Sequence, residues 1–171
     1  MRKPYRFVAG LAAVALTAGA SSAFADHGRG HDGRDDDHHG DTVLRSHLFG
    51  SNPAGPKLFL VAPGGAPWVI GDNKARVRRD GRIKVRIEGL VIPTAPQNGT
   101  NPLSNLAATV FCGGTAVATT SAVPFSRDGD ARIDETLSKP LPDPCLTPAV
   151  LINPAPGGTA NTGVYIAATG A

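Results

Sequence analysis

Six basic side chains flank one turn in this chain: Lys74, Arg76 and Arg78 before Arg79-Asp80-Gly81, and Arg82, Lys84 and Arg86 after it. Apolar residues separate them (Ala75, Val77, Ile83, Val85), the period-two pattern that sends alternate side chains to opposite faces of a strand. A two-residue Asp-Gly loop would set Val77 against Lys84 and spoil the apolar face. A three-residue loop instead pairs Val77 with Ile83 and Ala75 with Val85, and places Gly81 at the left-handed position of a bulge. All six basic residues then share the outer face, Arg78 against Arg82, Arg76 against Lys84 and Lys74 against Arg86. Like charges directly opposite cost roughly a few tenths of a kcal/mol per pair. The ladder therefore suits either a solvated edge guarded by charge or a site for something anionic. Two covers are conceivable: an anionic polymer of the cell envelope, or the chain's own acidic segment lying over the hairpin. Nucleic acid is a poor partner, because no aromatic residue interleaves the ladder.

That acidic segment is residues 26–41, which hold six Asp, four His, four Gly and two Arg, with no apolar residue. It is expected to be a disordered spacer, since nothing in it can join a core. His27, His31, His38 and His39 could ligate a transition metal weakly beside Asp35-Asp36-Asp37, but their spacing matches no closed site, and no cofactor is expected. Asp128-Gly129-Asp130 is too short for a calcium loop and reads as a turn.

Catalytic groups are scarce. After the spacer the only His is His47, in an apparent strand beside Arg45. There is no Gly-x-Ser-x-Gly elbow and no Ser-x-x-Lys. Asp134 and Glu135 are adjacent in a strand, so they face opposite sides and cannot act as a paired acid and base. The expectation is a protein without catalytic activity; a hydrolase would need an unrecognised constellation. For sugar binding the candidate platform is Trp68, but it lies inside an apolar run after a Gly/Pro turn, where a core anchor is the simpler role. Asn98-Gly99-Thr100 matches a glycosylation sequon in a loop.

The first 25 residues indicate where such a protein works. Met1, Arg2, Lys3 and Arg6 form a basic start, an apolar run follows from Phe7 to Ala20, and Ser21-Ser22-Ala23-Phe24-Ala25 closes it. This is the order of a secretory signal peptide, with cleavage expected after Ala25. The apolar run is too short for a membrane-spanning helix, and no Cys follows it to carry a lipid. A soluble, released protein is expected. Removing the leader takes three of the 17 basic residues and none of the 14 acidic ones, so the mature chain is formally neutral. The high pI of about 9.1 belongs to the precursor.

Cys112 and Cys145 fall in the exported part, where two cysteines are most simply one disulfide. Two buried thiols or a metal pair are the alternatives, although two ligands cannot close a zinc site. Loop-closure entropy for a separation of 33 residues gives a bridge there about 3–4 kcal/mol of stabilisation.

The elements that would position these groups are short. Gly and Pro cluster between apolar stretches rich in Val, Ile, Thr and Ala, and no window carries a helical period. Strands are expected near 42–49, 57–62, 67–71, 74–78, 82–90, 105–112, 115–123, 131–137, 147–153 and 163–169. Residues 42–171 thus read as one all-β domain, a single immunoglobulin-like β-sandwich or partly open barrel with one disulfide. Arg127-Asp128-Gly129 repeats the first turn's triplet, and the same loop would pair Phe125 with Ala131 and Val123 with Ile133. A third hairpin at Gly113-Gly114 has strands apolar on both faces, so both should be central. Val110 and Val117 would share one face, and Phe111, Ala116 and Ala118 the other.

The runs Gly64–Ile70 (GGAPWVI) and Gly81–Val91 (GRIKVRIEGLV), then Phe111-Cys112-Gly113-Gly114, Pro144–Ala149 and Tyr165-Ile166-Ala167, resemble a family of secreted, actinobacterial-type all-β proteins of uncharacterised activity. The likeness covers most of residues 60–168 and implies that both cysteines and Trp68 belong to a shared framework. It implies no activity. The functional expectation is a secreted, non-catalytic module binding anionic envelope polymers through the basic hairpin, with a small apolar-ligand carrier as the alternative.

Overall fold

The computed structural model describes residues 41–170. The expected leader (1–25) and the Asp/His-rich segment to residue 40, with His27, His31, His38 and His39, lie outside the described residues.

The first hairpin forms in the register the alternation demands. Strands β4 (Asn73–Arg78) and β5 (Arg82–Ile87) pair Val77 with Ile83 and Ala75 with Val85, and Gly81 turns the chain at φ +86°. Strand β1 (Thr42–Ser46) adds outside β4, and β9 (Ala131–Thr136) adds outside β5. The result is an antiparallel sheet in the order β1-β4-β5-β9.

A second sheet runs β2 (Leu48–Gly50), β12 (Ala167–Thr169), β10 (Ala149–Pro154), β6 (Asn105–Cys112), β7 (Thr115–Thr119), with β8 (Val123–Pro124) also on β6. A short parallel pair joins β3 (Ala62–Pro63) to β11 (Val164–Tyr165). The fold is all-β, two open sheets enclosing one main core. Ala75, Val77, Ile83, Val85, Ile87 and Ile133 from the first sheet meet Leu48, Ala108, Val110, Val150, Ile152 and Ala167 from the second. Each fully buried Val, Leu or Ile contributes about 1.5–3 kcal/mol relative to exposure.

Five strand expectations change, and one of them is 115–123, which stops at Thr119 and resumes only at Val123–Pro124. Residues 42–49 are not one strand: the chain leaves the first sheet at Ser46 and enters the second at Leu48, with His47 exposed at the break. Residues 163–169 divide in the same way around Ile166. The 57–62 stretch is mainly a tight turn, with Leu58 bridged to Val61, and 67–71 contributes only a bridge from Val69 to Val91. Around Ile166, and in 57–62 and 67–71, the apolar positions run on through the break, so composition does not reveal it.

The Arg127-Asp128-Gly129 turn forms, but not as a hairpin. Gly129 N–H donates to the Ser126 carbonyl (3.0 Å), as Gly81 N–H does to Arg78 (3.0 Å). Its flanks then part: Val123 pairs with Leu106 in the second sheet, while Ile133 pairs with Val85 in the first. A crossing between sheets keeps Phe125 and Ile133 in the core as well as a hairpin would, so burial alone does not decide between them.

The Gly113-Gly114 hairpin does form, with φ +59° and +80°. Strand β6 is central and almost wholly buried, whereas β7 is an edge strand, exposed at Thr115 and Ala116. A bulge opposite Val110 and Phe111 brings Ala118 to the main core beside Val117, rather than to Phe111's side. Trp68 is buried in that core, stacked against Phe125 with ring centroids 6.4 Å apart.

Cys112 and Cys145 are disulfide-bonded. The bridge does not join the two sheets. It ties the strandless segment between β9 and β10 to the end of β6, where Gly113 N–H also donates to the Leu146 carbonyl (2.6 Å). No helix among the described residues is long and apolar enough to cross a membrane.

Candidate functional site

The basic ladder is the outer face of the first sheet. Inward positions of β5 (Ile83, Val85, Ile87) are buried, so Arg82, Lys84 and Arg86 face outward. Arg76 stands opposite Lys84, and Lys74 opposite Arg86. Two residues that the hairpin pattern alone did not include join them. Arg45 on β1 lies opposite Arg76, and Arg132 on β9 lies opposite Arg86. Their signal was in the sequence, in the alternations Leu44-Arg45 and Ala131-Arg132-Ile133, but only the strand order reveals that they are neighbours.

Eight cationic side chains therefore share one sheet face: Arg45, Lys74, Arg76, Arg78, Arg82, Lys84, Arg86 and Arg132. Neighbouring strands set the members of a row about 4.8 Å apart, and successive rows on the face repeat about every 6.8 Å along each strand. One row reads Arg45, Arg76, Lys84, Asp134 across the four strands; the next reads Lys74, Arg86, Arg132 across three.

Carboxylates relieve part of the repulsion. Asp134 lies 3.2 Å from Arg82 Nη2 and 3.4 Å from Lys84 Nζ. Arg78 contacts Asp41 (3.4 Å) and Asp80 (3.6 Å). Arg86 is paired with Glu88 and sits 3.8 Å from Asp72. Arg76 donates to the Thr42 hydroxyl (3.0 Å). Among the described residues no carboxylate lies within ion-pair distance of Lys74 or Arg132, and both are exposed. Exposed pairs of this kind contribute about 0–1 kcal/mol each, so the carboxylates order the face without cancelling its charge.

Desolvation pushes the Asp134 carboxyl up, but the Arg82 hydrogen bond and the Lys84 and Arg82 charges outweigh it and leave its pKa below the ordinary carboxylate value. The hydrogen bond and charge of Glu88 push the Arg86 guanidinium up. Lowering of the folded-state pKa of Asp134 means its contribution to stability is present above the unfolded-state carboxylate pKa and is lost as pH falls through the lowered value.

The remaining sequence candidates do not converge. His47 is exposed between the sheets' first strands. Glu135 turns away from Asp134 and accepts the Ser121 N–H (3.0 Å). Asp130 accepts the Gly89 N–H (3.0 Å), in keeping with a turn residue. No three His, Cys, Asp or Glu side chains cluster among the described residues.

The second sheet is apolar on its outer side as well. Phe111, Leu151, Tyr165 and Ala168, with Val61, form a smaller apolar cluster there, separate from the main core. Nothing in the local pattern of β10 or β12 announced what covers it. The chain itself does so in part: residues 51–63 pass over this face, and a cleft of about 630 Å³ remains beneath them. No protein-family model matches the sequence, and comparison with curated proteins and with solved structures finds no match to it.

Proposed function

We propose that the domain is a non-catalytic binding module, exported from the cell, whose first sheet docks an anionic envelope polymer across its outer face. The observation that carries this is the gathering of eight of the twelve basic residues of 42–171 on one sheet face. A repeating polyanion can meet successive rows of that lattice at once, which a single small anion cannot. Export rests on the basic-apolar-small order of residues 1–25. The acidic segment 26–41 is the competing cover in this proposal, its last residue, Asp41, being paired with Arg78.

The test uses the full chain and immobilised poly(glycerol phosphate) as probe, at 50 mM and 500 mM salt. The K74E/R132E double variant changes two exposed cations of this face that have no carboxylate partner among the described residues, so folding is expected to be unaffected. Retention at low salt is expected to fall about tenfold or more, with a shallower salt dependence, because fewer counterions are displaced. Asp134→Asn should act the other way and raise retention a few-fold, by removing the negative charge at the end of one row. Retention of K74E/R132E equal to the parent's would overturn the proposal. Deletion of 26–40 that leaves binding unchanged would remove the acidic segment as a competing cover.

A further inference from the structure

The cleft on the outer side of the second sheet has a form the cationic face does not explain. Its floor is Ala149, Leu151 and Ala168, on β10 and β12. Its roof is the 51–63 segment, held down at two points. Tyr165 O–H donates to the Pro56 carbonyl (2.8 Å), and Phe59 stacks on Phe111 with centroids 4.7 Å apart and planes inclined by 18°. Burial raises the Tyr165 pKa, so the phenol stays a donor.

The rim is unusual in two independent ways. Large apolar side chains stand in water there: Phe49 is 64% exposed, Leu60 92% and Leu146 62%, and each lines the cleft or adjoins a residue that does. Phe59 and Leu60 are also consecutive non-glycine residues in the left-handed region, at φ 51° and 69°. That conformation costs about 1–2 kcal/mol per residue outside Gly, Asn or Asp. The Leu58–Val61 turn thus holds a strained backbone whose product is a leucine offered to solvent. Exposed apolar groups and backbone strain coincide where a surface is kept for a ligand.

The geometry points to a binding site for a neutral, lipid-like small molecule, mainly hydrocarbon, lying between the 51–63 segment and the second sheet. The volume is within the range of small-molecule pockets, roughly 300–1,000 Å³. Charge decides the class: among the described residues no Lys, Arg, Asp, Glu or His lines the cleft, so a charged headgroup would be desolvated there without a partner. Of the polar side chains lining the cleft, the buried Ser51 hydroxyl has no hydrogen-bond partner among the described residues, whereas two others are committed. Asn52 Oδ1 accepts Ala54 N–H (3.0 Å) and Thr169 Oγ1 accepts Val150 N–H (3.0 Å).

Titration of the full chain with N-phenyl-1-naphthylamine, an uncharged fluorescent probe, tests the site. Saturable binding at one probe per chain is expected, unchanged by 500 mM salt, which separates it from the cationic face. Ala149→Phe should fill the floor and weaken binding at least tenfold. Phe49→Ser alters only an exposed rim residue and should weaken it about three- to tenfold, so the test survives if the first variant misfolds. Leu60→Asn should relieve the turn and raise the melting temperature by a few degrees while weakening the probe about threefold. Non-saturable fluorescence, one probe per two chains, or parental affinity in both Ala149→Phe and Phe49→Ser would overturn the site.

Discussion

Replacing Cys112 and Cys145 together with serine is expected to cost about 3–4 kcal/mol, the loop-closure entropy of a 33-residue separation. For a domain of this size that corresponds to a fall in melting temperature of roughly 10–15 °C, read from thermal melts with and without reductant. The position of the bridge strengthens the expectation. Residues 137–148 contain no strand. Besides the disulfide, this segment is held by buried Leu137 and Leu141, the Arg79–Asp143 pair and the Gly113–Leu146 hydrogen bond. Its last residues, Thr147 and Pro148, line the apolar cleft. Reduction should therefore weaken naphthylamine binding at temperatures where the domain remains folded. A melting shift below about 3 °C would show that these other contacts alone hold the segment.

Gly129→Ala is expected to destabilise by about 3 kcal/mol or more, whereas Gly81→Ala should cost about 1 kcal/mol. Both glycines follow Arg-Asp and both sit at φ +86°, so the intrinsic cost of a Cβ in the left-handed region is shared. Their surroundings differ. A Cβ on Gly81 would meet nothing nearer than 3.7 Å, but on Gly129 it would fall 2.6 Å from the Leu90 carbonyl oxygen and 2.7 Å from its carbon. Leu90 is fully buried, and its N–H donates to the Gly129 carbonyl (2.9 Å), so it has little room to withdraw. Urea unfolding of the two variants compares them directly. Equal losses would mean that the crossing between sheets yields as readily as an open turn.

These two turns also mark how far the sequence could be read. Around Gly81 the alternation of Val77 and Ile83 with Arg78 and Arg82 leaves one register that buries an apolar face, and that register forms. Around Gly129 the local chemistry was just as clear, and the turn forms, but Val123 and Ile133 find their partners in different sheets. Turn residues fix φ; they do not say where the next strand goes. The six hairpin cations were legible for the same local reason, while Arg45 and Arg132 waited on strand order. The cleft was the least legible, because Phe49, Phe59, Thr147 and Ala168 come from four separated parts of the chain. Val150, Leu151 and Ile152 are all buried, which marks a central strand, yet their apolar character cannot name what lies over Leu151.

Strand β12 lies between β2 and β10, and β2 reaches the rest of its sheet through β12. The pairing of Leu48 with Thr169 therefore joins residues from opposite ends of the domain. Contacts so distant in sequence come late in folding and slow it. A chain emerging with its N-terminus first has no place for β2, and no finished floor beneath the 51–63 segment, until residues 167–169 arrive. The domain is completed by β12, so both the seating of β2 and the closing of the cleft floor wait for residues 167–169.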